Sequence, residues 1–245
     1  MRKTSIIILS IIISINLYCQ NSKTLTNPQP KPAKIEIDTI TQQLDTTTIT
    51  LLIYRPINTI AKFTTTRPDS TNTQIKLSVA AAFTGKNLKS IMGTHIESGK
   101  LKKGYKSISN GYVTIIDGKI EIKPITHKLK HNQHKAIKHK GYLFQQMLLV
   151  KDSTIVPCKI FGQKETYRRA LAIVNKQPII IESEQKLKID DFSQSLIRMG
   201  IKTALCLDMG TWSHGWIRTE NNNYIPIGKL TSSTKDQTNW LIFSE

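Results

Sequence analysis

Asp208 ends a short apolar run, Thr203 to Leu207, and is followed by Met209, Gly210, Thr211, Trp212, Ser213 and His214. A carboxylate where a chain leaves a strand is well placed to meet a ligand, because such loops carry much of the chemistry of folded proteins. It could stabilise positive charge on a sugar, act as a base toward water, or ligate a divalent cation. It equally fits a loop-capping carboxylate that accepts backbone hydrogen bonds. Arg168 lies 40 residues upstream. Its planar guanidinium could hold two phosphate oxygens at once, or it could pair with Glu165 or Glu182. Ser213 and backbone amides near Gly210 could bind oxygen atoms. His214 and His95 carry imidazoles that titrate near neutrality, although either could simply face solvent. Trp212, Trp216 and Arg218 form a compact aromatic and cationic group. Tryptophan faces stack on sugar rings and a guanidinium meets anionic substituents; both tryptophans could instead cap a sheet as core.

The elements that must position these groups are mostly strands. Ile49 to Tyr54, Gln74 to Phe83, Gly141 to Val150 and Arg169 to Val174 have the apolar, β-branched character of strands. Tyr112 to Ile116 and Lys119 to Lys123 flank Asp117-Gly118, a dipeptide suited to a tight hairpin. Asn175-Lys176 turns the strand beginning at Arg169 into Ile179 to Ile181. Thr59 to Asn72 reads as a polar hairpin or loop. One helix is expected, from Asp190 to Met199, with Ile189, Phe192, Leu196 and Met199 on one face. Asp190 and Asp191 sit at the positive end of its dipole and Gly200 stops it. Many strands with one clear helix point to an α+β single domain, a central mostly antiparallel twisted sheet with a few packed helices.

Arg2 and Lys3 precede an apolar run from Ile6 to Ile15 that is too short to span a bilayer, so residues 1–19 read as an export signal. Cys19 is a candidate for lipid anchoring, against which stands Tyr18 where a small residue is usual; simple secretion is the alternative. Residues 20–34 carry Pro28, Pro30 and Pro32 and read as an extended tether, leaving 35–245 as the folded domain. No second transmembrane stretch is visible, and the implied location is the periplasm, the outer envelope or the medium. The net charge of +18 becomes +16 once Arg2 and Lys3 are removed. Such a balance attracts anionic partners in general, whether glycans, envelope polymers, membrane surface or nucleic acid. The densest stretch, His127 to Lys140, holds His131, His134 and His139 without an acidic residue; it reads as a solvated loop or hairpin rather than a metal tract. Cys158 and Cys206 could pair under export or stay as free thiols.

The order of elements from Tyr167 to Arg218 is the most specific feature. It runs Tyr167-Arg168-Arg169-Ala170-Leu171-Ala172, a hairpin, the helix, Gly200, then Ala204-Leu205-Cys206-Leu207-Asp208-Met209-Gly210. This resembles the phosphodiester glycosidase family, whose members show an Arg-Thr-Ala strand, a helix ending in Leu-Gly, and an Ala-Leu-Asn-Leu-Asp-Gly-Gly-Gly-Ser strand and loop. Val79-Ala80-Ala81-Ala82-Phe83 is similar to that family's Asn-Gly-Gly-Phe-Phe segment, with the Asn and both glycines missing. Met209 and Thr211-Trp212 replace small residues of the family loop, which changes the pocket's shape.

The resemblance implies hydrolysis of a glycosyl phosphodiester in an envelope or host glycan. The roles it carries over fall on Asp208, Gly210, Ser213 and Arg168 only. No cofactor is implied; the metal requirement is left open, a divalent cation being compatible with Asp208. The expected partner is an anionic or phosphodiester-linked glycan. A non-catalytic binder of such glycans on the same fold is the alternative reading. Nucleic acid is not expected, since no basic-aromatic module or groove-reading helix accompanies the charge.

Overall fold

A computed structural model of the chain describes residues 31–85, 87–106, 109–126, 128–158, 164–209, 214–228 and 232–245. Residues 32–245 form one compact unit. The seven strands of the first sheet run in the order β1 (Lys34–Leu44), β2 (Thr47–Ile57), β13 (Gln177–Ser183), β12 (Arg169–Val174), β14 (Thr203–Cys206), β10 (Leu148–Lys151) and β11 (Thr154–Ile155). The second sheet has the order β16 (Tyr224–Ile227), β15 (Gly215–Arg218), β4 (Ile75–Ala80), β17 (Trp240–Ser244), β3 (Ile60–Thr64). In the third, β6 (Lys100–Lys102), β5 (His95–Glu97), β9 (Tyr142–Gln146), β7 (Gly111–Ile116) and β8 (Lys119–Pro124) lie side by side. Every pairing between these strands is antiparallel.

The expected α+β class, one central sheet with a few packed helices, is therefore corrected. The protein is β-rich, with three antiparallel sheets and, among the described residues, two α-helices: α1 (Leu129–Lys138) and α2 (Ile189–Arg198). The physical reason is alternation. Short strands with one apolar face stack against each other and bury those faces without helices between them.

Alternation assigns the cores. Phe63 and Val79 from the second sheet, Val113 and Phe144 from the third, and Leu171 and Leu205 from the first meet in one apolar cluster between the sheets. Their neighbours Ala170, Ala172 and Ala204 point the other way and pack with Phe192 and Leu196 of α2 in a second cluster. The small alanines let the helix approach the sheet closely. The third sheet keeps Ile96, Tyr112 and Leu143 for its outer face, where Ala136 of α1 covers them.

Local expectations fared unevenly. Asp117 and Gly118 (φ 51° and 74°) make the tight turn between β7 and β8, and Asn175 and Lys176 (φ 49° and 67°) join β12 to β13 in the same way. The α2 segment, its acidic first turn and Gly200 (φ 79°) stand where the periodicity puts them. Three readings are corrected. The polar stretch 59–72 contains β3, whose Ala61 and Phe63 alternate inward. Gly141 to Val150 breaks at Met147 into β9 and β10, which belong to different sheets. The His-rich stretch is the helix α1, since Asn132 and Ala136, four apart, give it a face to bury; His139 Nδ1 also has an acidic partner, Asp117 Oδ2 at 3.2 Å. Cys158 and Cys206 are free thiols; Cys158 Sγ lies 3.5 Å from Met147 Sδ, and burial pushes the Cys206 thiol up to about 12. The signal segment, Cys19, Pro28 and Pro30 lie outside the described residues; the Pro32 carbonyl accepts from Asn58 Nδ2 at 3.4 Å, and the last tether residue, Lys34, is the first of β1.

Candidate active site

Arg168 immediately precedes β12 and Arg169 is its first residue; their side chains leave on opposite faces, because successive residues of extended chain alternate. Arg168 goes with Ala170 toward α2. It is buried, its Nε donates to the Leu187 carbonyl at 2.9 Å and its Nη2 to the Lys164 carbonyl at 2.5 Å, and its own amide donates to Ser183 Oγ at 2.9 Å. Burial lowers its pKa, opposed by Cys206, Cys158 and Asp190 nearby. The guanidinium is thus used chiefly to hold the loop that precedes α2.

Arg169 goes with Leu171 into the space between the sheets and is fully buried. Its Nε donates to Glu182 Oε1 at 2.5 Å; Nη2 forms an ion-pair contact with the same oxygen, and neither Nη1 nor Nη2 makes a hydrogen bond. Glu182 stands directly opposite in the ladder. The side chain spans to the second sheet, where a β-carbon at Gly215 would lie 3.1 Å from Nη2. Glycine there lets the cation approach the β15 backbone. Of the two acids weighed for Arg168, Glu182 pairs with its neighbour instead.

Asp208 follows β14 and is 2% exposed. Its amide donates to the Ala81 carbonyl at 2.9 Å, and its Oδ2 accepts the Thr84 amide at 3.1 Å. The carboxyl is pushed up from 3.8 to about 7, chiefly by burial; the hydrogen bond from Thr84, the charge of Arg169 and the Met209 amide oppose the rise. The small-residue segment after β4 meets it here. The Ala81 carbonyl also accepts Gln146 Nε2 at 3.4 Å, while Ala82 is clamped through both backbone groups by Asn239, at 2.7 and 2.9 Å. Alanines at 80–82 leave room for these three approaches, all fully buried.

His214 stands immediately before β15. Burial together with the charges of Arg67 and Arg169 pushes it down to about 4, so it is neutral at physiological pH, and its buried Nδ1 has no hydrogen-bond partner. Arg169 is thus the cation acting on both Asp208 and His214. His95 lies elsewhere, in the third sheet, edge-on to Phe63 with ring centroids 5.9 Å apart; burial lowers its pKa. Trp216 and Arg218 occupy the face of the second sheet turned away from the shared core. Trp216 is fully buried under Arg218, 5.7 Å from its ring, and Arg218 is held by the carbonyls of Asn222 and Ser70. Gly210, Trp212 and Ser213 lie outside the described residues.

The structure therefore brings together Asp208, Thr84, Arg169, Glu182 and the backbone of residues 81–84, with His214 coupled through Arg169. Arg168, His95, Trp216 and Arg218 are not among the groups acting on Asp208. Sequence reading missed Arg169, Glu182, Thr84 and Asn239. The first two had a usable signal: a two-residue turn at 175–176 fixes the register and sets 169 against 182. Among the described residues no three His, Cys, Asp or Glu side chains group to hold a metal. A cleft of about 460 Å³ at the other end of the strands, lined by Ala61, Lys119, Lys176 and Phe243 among others, contains no acid.

A buried carboxyl that titrates near neutrality can both give and take a proton, and a nearby cation favours its ionised form. No protein-family model and no curated protein sequence matches the chain. Solved structures do. The catalytic domain of zebrafish N-acetylglucosamine-1-phosphodiester alpha-N-acetylglucosaminidase, auto-inhibited by its pro-peptide, superposes with a TM-score of 0.60 over 90% of this chain and 85% of that one, at 12% identity. The likeness is one of fold. A hypothetical protein from Synechocystis has a TM-score of 0.57 at 11% identity, over 87% of this chain and 64% of that chain.

Proposed function

We propose that the chain is an exported hydrolase of glycosyl phosphodiesters, a divergent relative of the phosphodiester glycosidases, acting on an envelope or host glycan. One observation carries the reading: Asp208 is held near neutral pKa by burial, at a strand end beside the Ala81–Thr84 segment, on a fold shared with a glycosidase catalytic domain. Cleavage of a sugar–phosphate bond expels a phosphate, which needs little protonation. The demands are then stabilisation of an oxocarbenium-like centre and delivery of water. The Asp208 carboxylate serves either demand once ionised, and Arg169 favours that form. Thr84 and Asn239 hold the backbone around it, so the carboxyl is oriented without having to reorganise.

The hydrogen bond from the Thr84 amide favours a second reading, in which Asp208 ties two loops and the protein binds anionic glycans without cleaving them. Asp208→Asn separates the two, since the amide oxygen still accepts from Thr84 but cannot act as base or anion. Turnover of a chromogenic sugar-1-phosphodiester should fall by about 10²–10⁴ in this variant if the group is catalytic. Equal turnover by variant and parent removes Asp208 from the mechanism. Ligand binding by calorimetry with no turnover in the parent establishes the binder instead.

A further inference from the structure

The positive charge is unevenly placed. Residues 95–140, which supply four of the five strands of the third sheet and its helix α1, contain eleven lysines against three acids, a net +8 of the chain's +18 in 46 residues. All three acids are engaged within the layer: Glu97 with Lys102 at 3.1 Å, Glu121 with Lys119 and Lys123 at 2.9 and 2.7 Å, and Asp117 with His139 at 3.2 Å. The other eight lysines have no acidic partner among the described residues. On α1 the stripe opposite the buried Asn132 and Ala136 carries Lys130, His134 and Lys138 at spacings of four.

Apolar side chains stand exposed in this cationic field. Leu101, on the edge strand β6, is 52% exposed; it pairs with Ile96, so it lies on the α1 side of the sheet. Ile137 of α1 is 37% exposed near the same edge: its carbonyl and the Lys140 backbone abut Gly99 in the β5–β6 turn. Tyr105, just beyond β6, is 45% exposed. A soluble polyanion would be bound by the lysines alone and has no use for half-exposed leucine and isoleucine. A bilayer with anionic headgroups uses both, the lysines at the headgroups and the apolar side chains at the acyl boundary.

We propose that the edge formed by α1 and β6 is a docking surface for an anionic lipid bilayer, resting on neither the hydrolase nor the binder reading. The test is co-sedimentation of the full chain with vesicles of phosphatidylcholine alone and with about 30% phosphatidylglycerol. Binding to the anionic vesicles only is expected, weakening at least about tenfold between about 0.1 and 0.5 M salt. Lys130→Glu/Lys138→Glu should abolish it, while Lys176→Glu/Lys202→Glu, of equal net charge, should leave it unchanged. Leu101→Ser/Ile137→Ser should weaken it about tenfold without changing retention on immobilised polyphosphate. Three results overturn the proposal: no preference for anionic vesicles, equal loss with both charge-reversal pairs, or full vesicle binding by Leu101→Ser/Ile137→Ser, which would mark the face as a site for soluble polyanions.

Discussion

The two faces of the first sheet use the same residue type to different ends. Toward α2, Arg168 spends its donors on the carbonyls of Leu187 and Lys164 among packed alanines and helix side chains. Between the sheets, Arg169 sits against Glu182 with neither terminal nitrogen making a hydrogen bond, and its charge reaches Asp208 and His214. Neither residue type nor neighbourhood in sequence separates them; strand parity does. The difference is one of place: the charge of Arg168 acts on the Cys206 thiol on the α2 side, whereas that of Arg169 acts on Asp208 and His214 between the sheets.

The largest expected effect is the loss of about 10²–10⁴ in turnover for Asp208→Asn, against little change in substrate affinity, read from kcat and KM separately. Next comes Arg169→Met, which strands Glu182 without its cation and should cost about 3–5 kcal/mol in denaturant unfolding. Arg169→Met/Glu182→Leu should recover most of that loss; if the double variant is no better than the single one, the two residues do not act as a pair.

Asp208 also makes stability depend on pH. Its folded-state pKa of about 7 lies above the ordinary 3.8, so between these values the folded chain holds a proton the unfolded chain has released. That contribution is fully present below about pH 4 and is lost as pH rises through about 7. Melts of parent and Asp208→Asn should therefore diverge with rising pH, the variant ending more stable by about 2–4 kcal/mol at pH 8. Parallel curves would show that the carboxyl is not held in its neutral form. Arg168→Met should cost about 2–3 kcal/mol by leaving buried carbonyls unsatisfied, with the pH dependence of stability unchanged. A change in that dependence would place Arg168 on the Asp208 side after all. Smallest is Lys176→Gly in the β12–β13 turn, where φ of 67° favours glycine; a gain of up to about 1 kcal/mol is expected in the melt.

Much of the secondary structure was legible. Asp117-Gly118 and Asn175-Lys176 announced their hairpins because positive backbone angles suit few residues, and α2 was marked by its periodicity, acidic first turn and terminal glycine. α1 was not, because a helix that buries little more than Asn132 and Ala136 leaves almost no apolar stripe to read. β3 was hidden inside a polar stretch, since two inward residues suffice for an edge strand. The break at Met147 has no local signal: each half is apolar, and only the sheet that each joins distinguishes them.

At the candidate site the division is similar. Sequence alone put Asp208 at a strand end; through the turn at 175–176 it also held the pairing of Arg169 with Glu182. Such features depend on residues close along the chain, where backbone preferences and register act directly. Only the tertiary structure decided that Thr84 would meet Asp208 and Asn239 would clamp Ala82, that the carboxyl would lose its water, and that Arg169 rather than Arg168 would supply the nearby charge. Those outcomes depend on how three sheets stack, and stacking is set by the sum of many weak apolar contacts between segments far apart in the chain.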